Sequence, residues 1–85
     1  ETAEAAAFIK TSTLKRRNVK IDDARTSVTL EPQIWKILHD VADEHECDIH
    51  DLCSLISQQK SDDSSLASAI RVFLISYLHI KGKQR

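Results

Sequence analysis

One glycine and one proline in 85 residues leave little material for loops that turn sharply or cradle a phosphate. A Gly-rich phosphate loop is excluded, and so is any collagen-like or low-complexity architecture. Methionine is absent, and there are only one Trp, one Tyr and two Phe. Cys47 and Cys53 are the two cysteines, too few and too close together for a disulfide framework. The segment "AEAAAFI" is short and acidic at its front, unlike a secretory signal, and no run is long enough to span a membrane. A cytoplasmic setting with no membrane partner is therefore expected. There is no nucleophile elbow and no convincing carboxylate pair. The chain reads as a binding protein rather than an enzyme, with no cofactor.

What is present is charge, helix-forming residues and aliphatics. Hydrophobic residues make up 41% and charged residues 29%, the profile of a globular, helix-rich chain. A chain of this size buries only about 60–65% of the surface its unfolded form exposes. Oligomerisation is one usual remedy for so small a core. The net charge of −1 hides a segregation. Residues 9–29 carry six basic side chains against two acidic ones, a balance of +4. Residues 30–70 carry nine acids against Lys36 and Lys60, a balance of −7, and Arg71, Lys81, Lys83 and Arg85 return +4. Basic ends around an acidic middle fit a face that meets an anion, although a solvated surface can also carry such a pattern.

Residues 1–14 mix Ala with Thr and Ser and are expected to form a flexible N-terminal arm, leaving 15–85 as the folded domain. Val19 and Ile21 alternate with polar residues ahead of "DDA", which has turn chemistry and suggests a short first strand. The main strand spans about 25–30. Thr26, Val28 and Leu30 share one face and Arg25, Ser27 and Thr29 the other, because side chains alternate along a strand. Pro32 suits a first helical turn. Ile34, Leu38, Val41 and His45, flanked by Trp35, Ile37 and Ala42, make the apolar stripe of a helix over about 32–45. Asp48 is a good N-cap for a second helix over about 49–59, and Ser64 or Ser65 caps a third over about 65–80. That third helix is apolar nearly all round and needs burial all round, which points to an obligate dimer.

A strand followed by two helices resembles the ribbon-helix-helix DNA-binding family. The segments "RTSVTLEPQIW" and "SSLASAIRVF" look like a bacterial subfamily with a third helix, and the likeness covers about residues 16–78. The fold it implies is mainly α with one short β-strand. In it, an intertwined homodimer pairs one strand from each chain into a two-stranded antiparallel intermolecular ribbon, with a third helix added. Thr26, Val28 and Leu30 would then be core. The polar face would enter the major groove of double-stranded DNA, which admits a two-stranded ribbon. By position, Arg25, Ser27 and Thr29 are the candidates for base contact. Arg can give two parallel hydrogen bonds to guanine, and a well-made pair gives roughly 1–3 kcal/mol of base discrimination. The function implied is that of a transcriptional regulator such as a repressor.

In that family the turn before the second helix usually holds Gly and then Ser or Thr, and the helix N-terminus clamps a phosphate. Here Glu46, Cys47 and Asp48 stand in that turn. Glu46 must take any left-handed position without glycine's freedom. Asp48 sets a carboxylate beside the phosphate position, and Asp51 lies one turn in. By position the backbone contacts fall to Asp48, Ile49 and His50, joined by the basic run Lys15, Arg16, Arg17 and Lys20 acting as an arm.

Other readings compete. His45, Cys47, His50 and Cys53 fall within nine residues and are all zinc-ligand types, but their spacing matches no common pattern and Cys53 lies on an apolar stripe. No metal is expected. Arg71, in an apolar helix, is expected to pair with an acid such as Asp48, Asp51 or Asp63 or else to snorkel to solvent. The rival function is a dimeric protein–protein interaction module, antitoxin-like or an accessory subunit. The acidic middle of the chain, which repels DNA, favours it.

Overall fold

A computed structural model describes residues 13–83, so most of the expected N-terminal arm, residues 1–12, lies outside the described residues. Two strands come first, β1 (Lys15–Ile21) and β2 (Ala24–Leu30). They pair antiparallel from Lys15↔Leu30 at the open end to Ile21↔Ala24 at the turn. Only Asp22 and Asp23 link them, at φ 49° and 67°. A two-residue hairpin loop with positive φ at both positions matches the natural twist of the strands. Aspartate is among the few residues other than glycine that tolerate that region.

The ribbon expected to form between two chains is therefore closed within one in this structure. The basic run expected as an arm is strand β1 itself. With the strands in register, Val19, Ile21, Thr26, Val28 and Leu30 share the inner face, and Val19, Val28 and Leu30 are fully buried.

Three helices cover that face. Helix α1 (Pro32–Glu44) begins with Pro32 in its first turn and buries Trp35, Leu38, Val41 and Ala42. Its apolar stripe is rotated from the expected one: Ile34 and Ile37 are only partly buried, and His45 is exposed. For His45 the cause is the helix end. Cys47 N–H donates to the Ala42 carbonyl at 3.0 Å and Glu46 N–H to the Asp43 carbonyl at 3.1 Å. That pair of bonds is a Schellman motif, which leaves His45 as the C-cap and puts Glu46 at φ 55°.

Helix α2 (Ile49–Gln59) buries Leu52, Cys53 and Ile56 and lies along β1. Burial pushes the Cys53 thiol up to about 11 from its ordinary 9.0. Helix α3 (Leu66–Lys83) starts at Ser65, whose Oγ accepts the Ser68 amide at 3.1 Å, and buries Ile70 and Leu74 against α2 and β2.

Two polar ties fasten α3 to α1. The partner of Arg71 is Glu31, not Asp48, Asp51 or Asp63: Nη2 and Nε donate to one Glu31 carboxylate oxygen at 2.8 and 3.2 Å. Because its carboxylate is so engaged, Glu31 makes no side-chain cap to α1 although it stands at the N-cap. The Arg71 hydrogen bonds hold the Glu31 carboxyl below its ordinary 4.5. At the other end Lys81 and the Tyr77 hydroxyl both donate to Glu44, Tyr77 at 2.7 Å. The Tyr77 proton is thus committed, so the His45 Nε2 only 3.0 Å away is the donor to that hydroxyl oxygen. Lys81, then Tyr77, lower the Glu44 carboxyl; Glu44 in turn raises Lys81 and Tyr77.

Left-handed backbone costs a non-glycine residue about 1–2 kcal/mol, partly returned by the entropy that glycine loses. Glu46→Gly and Asp23→Gly should each stabilise by roughly 0.5–1 kcal/mol, a thermal-midpoint rise of about 2–8 °C; unchanged or lower midpoints would contradict the strain. The lowered carboxylates, Glu31 and Glu44, add stability that is complete above their ordinary 4.5 and lost as pH falls through their depressed values. The double variant Arg71→Ala, Glu44→Gln should therefore show a flatter loss of stability on acidification than the parent in pH-dependent urea unfolding.

Candidate nucleic-acid interface

The outward face of the hairpin follows from the same register. Arg16 stands opposite Thr29, Asn18 opposite Ser27, and Lys20 opposite Arg25. All six are exposed. Three are cations and none is an acid. The expected base-contacting residues Arg25, Ser27 and Thr29 thus share a surface with a second row from β1. The two rows are wired together: Arg16 Nη2 donates to Ser27 Oγ at 3.2 Å, and Ser27 Oγ donates to Asn18 Oδ1 at 2.9 Å. That leaves the Asn18 side-chain NH₂ and the Arg and Lys donors directed at whatever meets the face.

Asn18 was missed in reading the sequence. The signal for it was the "DD" turn combined with the Val19/Ile21 alternation, because a two-residue loop fixes Asn18 across from Ser27.

The other two basic residues of β1 lie elsewhere. Lys15 and Arg17 alternate onto the opposite face, at the open end. There the Arg17 guanidinium sits 5.6 Å above the Trp35 ring, and Trp35 Nε1–H donates to the Lys15 carbonyl at 2.9 Å. Trp35, 3% exposed, is a core residue that anchors the open end of the hairpin to α1.

The N-terminus of α2 comes up against the outer edge of β1. His50 Nδ1 accepts the Lys20 backbone N–H at 2.9 Å, satisfying a donor that points away from the hairpin. Asp48 Oδ1 accepts the Asp51 N–H at 2.9 Å, so the helix supplies its own anion at the place where a phosphate would dock. Ile49 is turned partly into the core. Asp22, Asp23, Asp48 and Asp51 border one shallow depression with Lys20 and His50. The ribbon therefore has a basic outer face and an acidic tip.

The candidate metal ligands are not gathered. His45 is bound to Tyr77, His50 to the Lys20 amide, and Cys53 is buried. Among the described residues no group of three or more His, Cys, Asp or Glu is arranged to hold a metal ion, and no helix is long and apolar enough to cross a membrane.

Comparison with known proteins gives the fold a family. The profile described as a ribbon-helix-helix domain matches residues 14–78. Among solved structures, the chain is similar to an uncharacterized protein from Bordetella pertussis Tohama I, with a TM-score of 0.73 at 18% identity over 99% of this chain and 74% of that one. No curated protein matches.

The local geometry can be checked by itself. His50→Ala should leave the fold intact and speed hydrogen exchange at the Lys20 amide, with little change at Val19. Asp48→Ala should cost about 1 kcal/mol of stability through the lost N-cap, while Asp48→Ser costs much less. Equal costs for the two would mean the carboxylate does something other than cap.

Proposed function

Because this chain belongs to the ribbon-helix-helix family, we propose that it is a sequence-specific DNA-binding protein. On this reading it acts as a homodimer and regulates transcription, as a repressor does, in the cytoplasm, where its two free thiols are at home. The observation that carries the reading is the outer ribbon face. It presents three cations, an amide and two hydroxyls, with no carboxylate among its six side chains. A two-stranded ribbon has the width that the major groove admits.

The chemistry of each side chain assigns its part. Arg25 suits a guanine edge, giving two parallel donors to O6 and N7; Asn18 suits adenine in the same two-pronged way. Ser27 and Thr29 hydroxyls donate or accept, and the Thr29 methyl can meet thymine. Arg16 and Lys20 flank these positions and fit phosphate contacts, with Lys15 and Arg17 reaching from the open end. The backbone at Asp48, Ile49 and His50 offers the helix-terminal phosphate contact, weakened by the Asp48 carboxylate. Nothing in this mechanism is catalytic.

A second reading, a dimeric module for a protein partner, draws on the acidic tip. Asp22, Asp23, Asp48 and Asp51 lie at one end of the ribbon, and such a cluster repels DNA and attracts a basic surface.

Selection of bound duplexes from a random pool separates the two. A DNA reader returns a defined sequence. Arg25→Ala should then cost about 1–3 kcal/mol and relax preference at one base pair, while Lys20→Ala should weaken all sequences alike and reduce the salt slope by about 1. Asp48→Ser should tighten binding if a phosphate docks at α2. Recovery of no sequence, with Arg25→Ala indistinguishable from the parent, would favour the protein partner.

A further inference from the structure

Between the hairpin and the start of α2 lies a depression of about 260 Å³, lined by Asn18, Val19, Lys20, Arg25 and His50. Val19 is a buried core residue, so four polar side chains compose the lining. No acid is among them, and Lys20 and Arg25 give it two formal positive charges. Among the described residues, neither cation is paired with a carboxylate.

Asparagine and neutral histidine each carry a donor and an acceptor. Here the fold occupies the acceptor of both. The Ser27 hydroxyl takes a hydrogen bond from Arg16 and gives its own proton to Asn18 Oδ1, which leaves the NH₂ group as the free end of Asn18. His50 Nδ1 accepts the Lys20 backbone N–H at 2.9 Å, so the ring proton resides on Nε2. With the Arg25 guanidinium and the Lys20 ammonium, four donor groups from two strands and a helix border one hollow.

We propose that this depression binds the phosphoryl group of a small phosphate ester, free in solution. Four donor groups exceed what the two oxygens of a carboxylate take up, and they suit the three terminal oxygens of a phosphate ester. The planar fork of Arg25 fits two of those oxygens at once. The nearby acids select a free ester over the DNA backbone as the source. Asp22, Asp23, Asp48 and Asp51 border the adjoining depression, which shares Lys20 and His50 with this one. A polyanion running on from the ribbon to α2 must pass those carboxylates, whereas a single phosphoryl group stays on the basic side.

Arg25 and Asn18 are also the side chains suited to a guanine and an adenine edge. A ligand that holds both withdraws them from DNA, so the phosphate ester acts as an inducer. That consequence rests on the DNA-binding function proposed above; the site itself does not.

The test is side-chain and backbone NMR of the full chain without DNA, titrated at constant ionic strength with inorganic phosphate and with phenyl phosphate. Both should give saturating, single-site shifts at the Asn18 NH₂, Arg25 Nε–H and His50 Nε2. His50→Ala and Arg25→Gln should each weaken that binding about ten-fold or more, and Lys36→Gln, on α1, should leave it unchanged. With a selected duplex present, phenyl phosphate should raise the apparent Kd of the parent and raise that of His50→Ala far less. Shifts that never saturate, acetate as effective as phosphate, or variants that bind like the parent would overturn the proposal. So would a duplex that shifts His50 Nε2 where the free phosphates do not, which assigns the donor to the DNA backbone. Phosphate bound by a chain that selects no DNA sequence would retire the operator and keep the site.

Discussion

The structure depends on the burial of Val19, Val28 and Leu30 beneath a two-stranded ribbon. All three are at or near complete burial, in contact with the helices behind them. Because side chains alternate at a period of two, fixing those residues inward fixes Arg16, Asn18, Lys20, Arg25, Ser27 and Thr29 outward. A slip of one residue would drive cations and hydroxyls into the core and expose the valines. The packing that folds the chain is thus also what composes the outer face. The Asp22–Asp23 turn sets the register, and the helices reward only one choice of face.

Much of this could be read from the residues. Alternation from Arg25 to Leu30, Pro32 at a helix start and Asp48 before an apolar stripe are local signals, and each acts locally in the fold. What the sequence concealed depends on contacts between distant segments. Lys15, Arg16, Arg17 and Asn18 have no strand preference of their own. They become strand because β2 offers a paired edge and α2 and Trp35 close over the other side. The rotation of the α1 stripe away from His45 reflects the Schellman turn, which releases His45 to meet Tyr77. Nor could spacing choose Glu31 for Arg71, since the pair spans 40 positions.

Charge segregation along the chain acquires a spatial meaning in the fold. The basic N-terminal run folds into the ribbon, with Arg16 and Lys20 facing out beside Arg25 and with Lys15 and Arg17 on the other face. Of the acids that follow, Glu31 and Glu44 are turned to structural work against Arg71 and Lys81. Asp48 caps α2 with Asp51 close by, and together with the turn aspartates they draw an acidic boundary at one end of the basic face. Such a boundary limits where a polyanion can lie, and directs it along the strands rather than over the α2 terminus.

The central claim is that the outer ribbon face meets DNA. Amide and side-chain NMR shifts followed during titration with duplex test it most directly, residue by residue. A ribbon that enters the groove shifts Arg16, Asn18, Lys20, Arg25, Ser27 and Thr29 together, with the salt sensitivity of phosphate contacts. Shifts confined to α1, or to the α2–α3 face with the ribbon silent, would contradict it.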